Sequence, residues 1–190
     1  MTPNLMGLLA LTPLAMLLLM LTRQDVRSHR IPNKLVLIGI FFGVVLNGLL
    51  PQGWGFNSVI PGGLGWLESL QGFAVGLLVF MPIYWLRAMG AGDVKLMSMV
   101  GAFLGPNDIL GVVLATFIAG GLMALIAVIR LKQLGHMLQN IKLMLLGGMV
   151  KMSAGQLPFM NDLKVSVGKL PYALAITVGT FSFLVWQRMW

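Results

Sequence analysis

Long apolar runs constrain the fold of this chain more than any other feature. They cover residues 5–21, 35–50, 70–86, 94–104, 109–129 and 170–186. Most of them approach the roughly 20 apolar residues that a helix needs to cross the hydrocarbon core of a bilayer. The chain is also 58% hydrophobic and only 9% charged, whereas soluble domains carry about 25% charged residues. The sequence therefore predicts an all-α membrane protein, a polytopic bundle of about six transmembrane helices.

One transmembrane domain spanning residues 1–190 is expected. The long polar connection, residues 130–169, is interrupted by the apolar segment "IKLMLLGGMV" at 141–150. Lys142 and Lys151 bracket this segment, which is too short to span, so an interfacial helix is favoured over a seventh crossing. No Lys or Arg precedes the first apolar run, as it would in a signal peptide, so we expect a permanent helix there.

Basic residues indicate the orientation of the bundle. If the N-terminus is outside, all but one of the 13 Lys and Arg residues fall in inner segments, as the positive-inside rule requires. The net charge of +8 is then explained by loops beside anionic lipid. Membrane lipid is therefore an expected partner, and nucleic acid is not, because the positive residues lack aromatic interleaving.

The five acidic residues divide by their expected position. Glu68 and Asp108 fall in predicted outer loops, and Asp162 falls in the long inner connection, so these three are expected at the solvated surface. Asp25 and Asp93 fall on the inner side, close to membrane helices.

Asp93 lies in the stretch "GAGDVKL", next to a short apolar run. Residues 94–104 supply only half of a membrane crossing before "GPND" turns the chain, so this helix must begin earlier. Asp93 is thereby carried below the interface, where an ionised carboxylate is costly and a functional role is the default hypothesis. Gly90 and Gly92 permit irregular backbone and the close approach of another chain.

Asp25 begins the second polar stretch, "DVRSHRIPNKL". Pro32 lacks a backbone donor and biases Ile31 away from helix, which predicts a loop here. Asn33 is the expected cap of the following helix. The loop would hold its polar residues near the membrane surface.

Two carboxylates brought together have a defined chemistry. They do not both ionise, so one activates water while the other, protonated, donates to a carbonyl. Such hydrolysis needs no metal or cofactor, and the absence of cysteine excludes thiolate metal sites and thiol nucleophiles. The alternative is a pair of juxtamembrane ion pairs, Asp25 with Arg23 or Arg27 and Asp93 with Lys95.

At these two motifs the sequence resembles the type IV prepilin peptidases, a family of GxGD-type intramembrane aspartyl proteases. That family has an aspartate followed by basic residues and "IPN", similar to "DVRSHRIPNKL", and a GxGD motif similar to "GAGDVKLMSMVGAFLG". A weaker similarity is "KLPYALAITVG", where the family opens its last helix. The order of the motifs and the expected six-helix layout cover nearly the whole chain.

The resemblance implies a GxGD aspartyl protease with Asp25 and Asp93 as its catalytic pair. It implies cleavage of the basic leader from prepilins or pseudopilins at the cytoplasmic face of the bacterial inner membrane. Gly90 and Gly92 carry over as motif residues, and Lys95 as a neighbour that tunes the pair or contacts substrate. Close backbone approach at Gly90 and Gly92 is expected to hold the substrate extended.

One departure from the family indicates a particular branch. Larger family members carry an N-terminal domain with paired cysteines that bind zinc, coupled to N-methylation, which this chain lacks, so the resemblance is to the short, peptidase-only branch of tight-adherence (Flp) pili. A second enzymatic alternative is a relative that cleaves archaeal preflagellin-type leaders. A non-catalytic membrane scaffold or carrier, whose aspartates form ion pairs, is the alternative function.

Overall fold

Five helical elements make up the computed structural model, which describes residues 3–50, 63–87, 89–130 and 171–189. They are α1 (Pro3–Ser28), α2 (Asn33–Leu49), α3 (Trp66–Trp85), α4 (Ala91–Arg130) and α5 (Tyr172–Met189). All regular structure in these ranges is helical, which confirms the prediction of an all-α fold. Asp162 and the segment 141–150, for which an interfacial helix is predicted, lie outside the described residues.

Length and composition fit a helical membrane protein. In the described ranges, α3 and α4 are long and apolar enough to cross a bilayer, and Asn33–Leu49 and Tyr172–Gln187 are shorter apolar helices. Large apolar side chains such as Met16, Leu37 and Leu114 are about two-thirds exposed, whereas Asn47 and Thr180 are buried. Apolar side chains outside and polar ones inside are what a bilayer, as solvent, favours.

A break at Gly105 divides α4 into two helical segments, 91–104 and 106–130. Gly105 has φ 83° and ψ 176°, a backbone conformation that side chains with a Cβ rarely adopt, and Pro106 follows it. The interruption predicted at "GPND" is therefore present. As also predicted, α4 begins before its apolar run, at Ala91.

Side chains of neighbouring helices satisfy the carbonyl groups that this break frees. The carbonyl of Ala102 would normally accept from residue 106, but proline has no N–H to donate. Instead it accepts from Asn47 Nδ2 at 2.8 Å and Ser69 Oγ at 2.6 Å, and Asn47 also reaches the Phe103 carbonyl at 3.1 Å. In an apolar surrounding such compensation is required, so α2 and α3 are anchored at the break.

Glycine residues spaced four positions apart in α2, α3 and α4 allow the helices to pack closely in lipid. A Cβ at Gly72 of α3 would collide with the backbone of Gly101 in α4, and a Cβ at Gly76 would lie 2.8 Å from the Met97 carbonyl oxygen. Gly43 of α2 lies against Ala102 in the same way. The core therefore forms around the first segment of α4, whose residues 96–105 are buried.

Helix α5 lies antiparallel to the second segment of α4 and to α1. Gly120, Thr116 and Gly111 of α4 face Tyr172, Gly179 and Phe183 of α5 in turn. Across the other interface, the hydroxyl groups of Thr22 and Thr177 are 2.6 Å apart, and Thr22 Oγ1 also donates to the Ala173 carbonyl. This register places the C-terminus of α1 beside the N-terminus of α5.

The C-terminal part of α1 differs from the predicted loop. The helix continues to Ser28 and ends at His29, which has φ 49° and whose N–H donates to the Asp25 carbonyl at 2.8 Å. The loop is therefore limited to residues 29–32, with Pro32 in the cap position of α2. Asp25 consequently lies on a rigid helical turn, one turn beyond Thr22.

Candidate active site

Asp25 is a buried carboxylate held by the first turn of α5. Only 7% of its surface is exposed, and its Oδ2 accepts a hydrogen bond of 3.2 Å from the backbone N–H of Ala173. The first N–H groups of a helix have no partner within the helix and carry partial positive charge. The N-terminus of α5 therefore orients the Asp25 carboxylate.

Asp93 occupies the first turn of α4 in a capping arrangement. The N–H of Gly90 donates to Asp93 Oδ2 at 3.2 Å, and the N–H of Asp93 donates to the Gly90 carbonyl at 3.1 Å. Such reciprocal bonding between the cap residue and the third helical residue fixes a helix start. The spacing of glycine and aspartate in "GAGD" thus has a local reason: it fixes the direction of the Asp93 carboxylate.

The two carboxylates, although far apart in sequence, lie at neighbouring helix ends. The carboxylate of Asp25 accepts from Ala173 at the start of α5, and Gly92, next to Asp93, packs against Ile31 in the loop that follows α1. Three helix ends, those of α1, α4 and α5, therefore converge on one acidic site.

Tyr172 and the Ala173 N–H were not among the site residues predicted from the sequence. The sequence signal for these two groups is the segment "KLPYALAITVG", whose similarity to the family is weak. Tyr172 is half-buried and its ring lies over Gly120, where a Cβ would come within 3.3 Å of the hydroxyl. This packing positions the start of α5 above the second segment of α4.

Lys95 connects the two motifs and does not form an ion pair with Asp93. Its Nζ donates to Asn33 Oδ1 at 3.0 Å, which joins the first turns of α4 and α2. The prediction that Asn33 caps α2 was wrong, because Pro32 holds the cap position without a side-chain cap bond. The amide of Asn33 accepts from Lys95 instead.

Gly92 approaches the protein's own loop. A Cβ at this position would lie 3.0 Å from Ile31 Cβ, whereas one at Gly90 would meet mainly Asp93 Oδ2 at 3.3 Å. The close approach expected at Gly92 is therefore real, but Ile31 of the α1–α2 loop occupies the space there. This contact and the Lys95–Asn33 bond set the separation between the helices that carry Asp25 and Asp93.

The predicted juxtamembrane ion pairs are not the contacts that the described side chains make. Asp25 accepts from Ala173 and Asp93 from Gly90, so backbone N–H groups hold both carboxylates. A solvated ion pair would leave Asp25 exposed, yet it is buried. The arrangement therefore favours a functional acidic pair over structural ion pairing.

The other two acidic residues of the described ranges lie away from this site. Glu68 is exposed in the first turn of α3, as expected. Asp108 is only 5% exposed and accepts from Gln187 Nε2 at 3.2 and 3.3 Å, so its predicted place at the solvated surface was wrong. Its bond to Gln187 instead links the start of the second segment of α4 to the C-terminal part of α5.

An acidic pair alone, without a cluster of metal ligands, makes up the site in the described residues. No three His, Cys, Asp or Glu side chains come together there to hold a metal ion. Ser98, which has no partner base near it in the sequence, donates to the Val94 carbonyl at 2.8 Å. The arrangement is suited to proton transfer between water and a polar bond by two carboxyl groups.

Within this apolar helical protein a buried and a half-buried aspartate, Asp25 and Asp93, lie at converging helix ends. Residues 13–125 match the model of the type IV leader peptidase family, and the chain belongs to this family. The matched range contains Asp25 and Asp93 but ends before α5.

Curated relatives agree with the family. The chain is 31% identical over 104 residues to the prepilin leader peptidase/N-methyltransferase of Pseudomonas putida, and 30% identical over 95 residues to that of Stutzerimonas stutzeri. The alignments cover 51% and 46% of this chain, but only 32% and 29% of those proteins. The chain thus spans about a third of the length of the relatives it matches. No solved structure matches the chain.

Proposed function

We propose that the protein is an aspartyl endopeptidase that removes the basic leader from pilin precursors, with Asp25 and Asp93 as its catalytic pair. The observation that carries this proposal is the placement of these two carboxylates, each held by a backbone N–H group, where the ends of α1, α4 and α5 meet. Membership of the type IV leader peptidase family and the names of the two relatives support the substrate class.

The pair performs amide hydrolysis by general acid–base catalysis. The ionised carboxylate takes a proton from water, whose oxygen attacks the scissile carbonyl carbon, while the protonated carboxyl donates its proton to the carbonyl oxygen. Collapse of the tetrahedral intermediate breaks the C–N bond, and the leaving nitrogen takes a proton from the pair. One water is consumed, and a carboxylic acid and an amine are released. One carboxyl group of the pair acts as the base in this step and the other as the acid.

The substrate in this proposal is a prepilin or pseudopilin with a basic leader followed by an apolar helix. Such a chain reaches the site laterally from lipid, and its scissile bond must be extended, because a helical peptide bond is shielded from attack. The proposed activity is the peptidase step.

Six membrane crossings in a bacterial inner membrane, with the N-terminus outside, belong to the same proposal. The two segments of α4 count as separate crossings, because the Gly105 break lies between them. The basic residues at the end of the bundle that carries the acidic pair support this orientation. They are Arg23, Arg27, Arg30, Lys34, Arg87 and Lys95.

Cysteine labelling tests this orientation cleanly, because the chain has no native cysteine. Ser28→Cys lies at the end of α1 near the acidic pair, and Glu68→Cys lies on the exposed first turn of α3 at the opposite end. In right-side-out spheroplasts, we expect a membrane-impermeant maleimide to label Glu68→Cys immediately and Ser28→Cys only after permeabilisation. The reverse pattern would place the acidic pair outside and contradict the proposal.

Co-expression with candidate pilin precursors tests the activity itself. We expect one precursor to lose its leader, with a new N-terminus at the start of the apolar helix when the product is sequenced. The same experiment shows whether the mature end is methylated. Unchanged precursor with every pilin encoded in the same genome would overturn the proposal.

The bridge between Lys95 and Asn33 should couple the two motifs during catalysis. We expect Lys95→Met and Asn33→Ala each to lower kcat/KM about fivefold, as loss of one partly exposed hydrogen bond to a charged group is worth about 1 kcal/mol. The double variant should be no slower than either single variant, because both remove the same bond. Additive losses would show that Lys95 acts on the substrate or the acidic pair directly.

A further inference from the structure

An apolar groove runs between the second segment of α4 and α5, with a volume of about 620 Å³. On α4, small half-buried residues four positions apart line it, namely Gly111, Ala115 and Ala119. Beside them stand exposed branched side chains at the same spacing, of which Leu114 and Ile118 are both 66% exposed. A surface of small residues flanked by larger ones lets a further helix approach closely in lipid.

Helix α5 forms the other wall of the groove with a second series at four-residue spacing. This wall consists of Leu174, Val178, Ser182 and Trp186. Ser182 is its polar member, and the remaining side chains are apolar, so the groove fits an apolar occupant. From Gly111 to Ile126 the groove extends about 22 Å along α4 at 1.5 Å per residue, which accommodates most of one membrane-crossing helix.

The groove reaches the level of the acidic pair. Leu174 in its wall directly follows Ala173, whose N–H binds the Asp25 carboxylate. Ala119 directly precedes Gly120, which packs against Tyr172. Farther along α4, Met123 and Ile126 continue the groove beyond the first residue of α5. A helix in the groove would therefore be continuous with chain passing the acidic pair, as cleavage inside a polypeptide requires.

We infer that this groove binds the apolar helix of the pilin precursor and delivers the bond at its end to Asp25 and Asp93. The inference rests on the proposed function and adds the path of the substrate. Continuity with the acidic pair favours this occupant over lipid acyl chains, which gain nothing from that position. A second copy of the protein seated there would cover the approach to the site from lipid.

Disulfide trapping tests the inference directly, again because native cysteines are absent. Ser182→Cys places a thiol in the groove, and Ala74→Cys places one on an exposed position of α3 outside it. Both are combined with Asp93→Asn, which preserves the precursor, and the precursor carries one cysteine in its apolar helix. On oxidation we expect at least ten times more enzyme–precursor adduct with Ser182→Cys than with Ala74→Cys.

A groove-filling variant provides the second measurement. We expect Ala115→Trp to lower kcat/KM for the precursor at least tenfold, mainly through KM, whereas Ala74→Trp cleaves like wild type. Equal adducts from the two cysteines, or a predominant enzyme–enzyme disulfide at Ser182→Cys, would overturn the groove assignment. Wild-type cleavage rates in Ala115→Trp would do the same while leaving the aspartyl peptidase intact. A wild-type chain that cleaves no precursor would instead remove the proposed function, and this inference with it.

Discussion

Replacing either aspartate of the pair by asparagine is expected to reduce precursor cleavage at least a thousandfold. Each substitution removes one of the two carboxyl groups that the proposed mechanism needs, one to take a proton from water and one to donate a proton to the carbonyl oxygen. Loss of a residue that acts within a catalytic unit typically costs about 10³-fold or more. The measurement is the ratio of mature to precursor pilin over time, at matched amounts of folded enzyme. The double variant should be no slower than either single variant, because the pair acts as one unit.

Asp108→Asn is the matched control. Asp108 is also a buried carboxylate, but it lies just after the Gly105 break, beside the C-terminal part of α5. An asparagine there still accepts from Gln187, so we expect cleavage close to wild type. Should the Asp25 and Asp93 variants fail to accumulate while Asp108→Asn is stable, the pair would be a structural element. A scaffold or carrier would then explain the chain better. Folded variants that still cleave would exclude the acid–base mechanism.

Apolar run length and charge distribution were enough to predict an all-helical membrane protein. Both features follow from the solvent, because a bilayer excludes unpaired backbone groups and charged side chains whatever the tertiary contacts are. The start of α4 before its apolar run was predicted for the same reason, and α4 begins at Ala91. The four-residue spacing of glycines in α3 and α4 is a sequence signal of close helix packing, and Gly72 and Gly101 do meet.

The detailed geometry of the site depends on contacts that a single sequence does not contain. That Asp25 lies on a helix and not in a loop follows from its hydrogen bond to α5 and from the left-handed His29. The partner of Lys95 could not be chosen in advance, because Asp93 is near in sequence whereas Asn33 is near in space. Asp108 was misplaced because its partner, Gln187, belongs to a distant helix.

One group that contributes to the site cannot be recognised from the type of its residue. Ala173 acts through its backbone N–H, and any residue except proline could supply that donor. Only the position of the start of α5 makes it useful, and that position depends on the packing of Tyr172 over Gly120. A motif search identifies carboxylates readily, but it identifies the groups that orient them only where those are side chains.

The contact between α3 and α4 gives the second large expected effect, on stability. Gly101→Leu should abolish accumulation of folded protein, or lower the free energy of unfolding by about 3 kcal/mol or more, because its side chain would enter the space of the Gly72 backbone. The backbone of Gly72 cannot move aside as a flexible side chain could. Thermal unfolding in detergent, followed by circular dichroism and by aggregation, measures the loss.

Gly121→Leu makes the same chemical change farther along α4, where a Cβ would meet nothing within 4 Å. There the substitution should be neutral or stabilising by about 0.5–1 kcal/mol, since leucine favours helix over glycine. The difference between the two variants therefore isolates interhelical packing from helix propensity. Because Gly101 lies in the same α4 segment as Asp93, loosening this contact would also shift Asp93 relative to Asp25. Equal stability of Gly101→Leu and Gly121→Leu would show that α3 and α4 do not meet at their glycines.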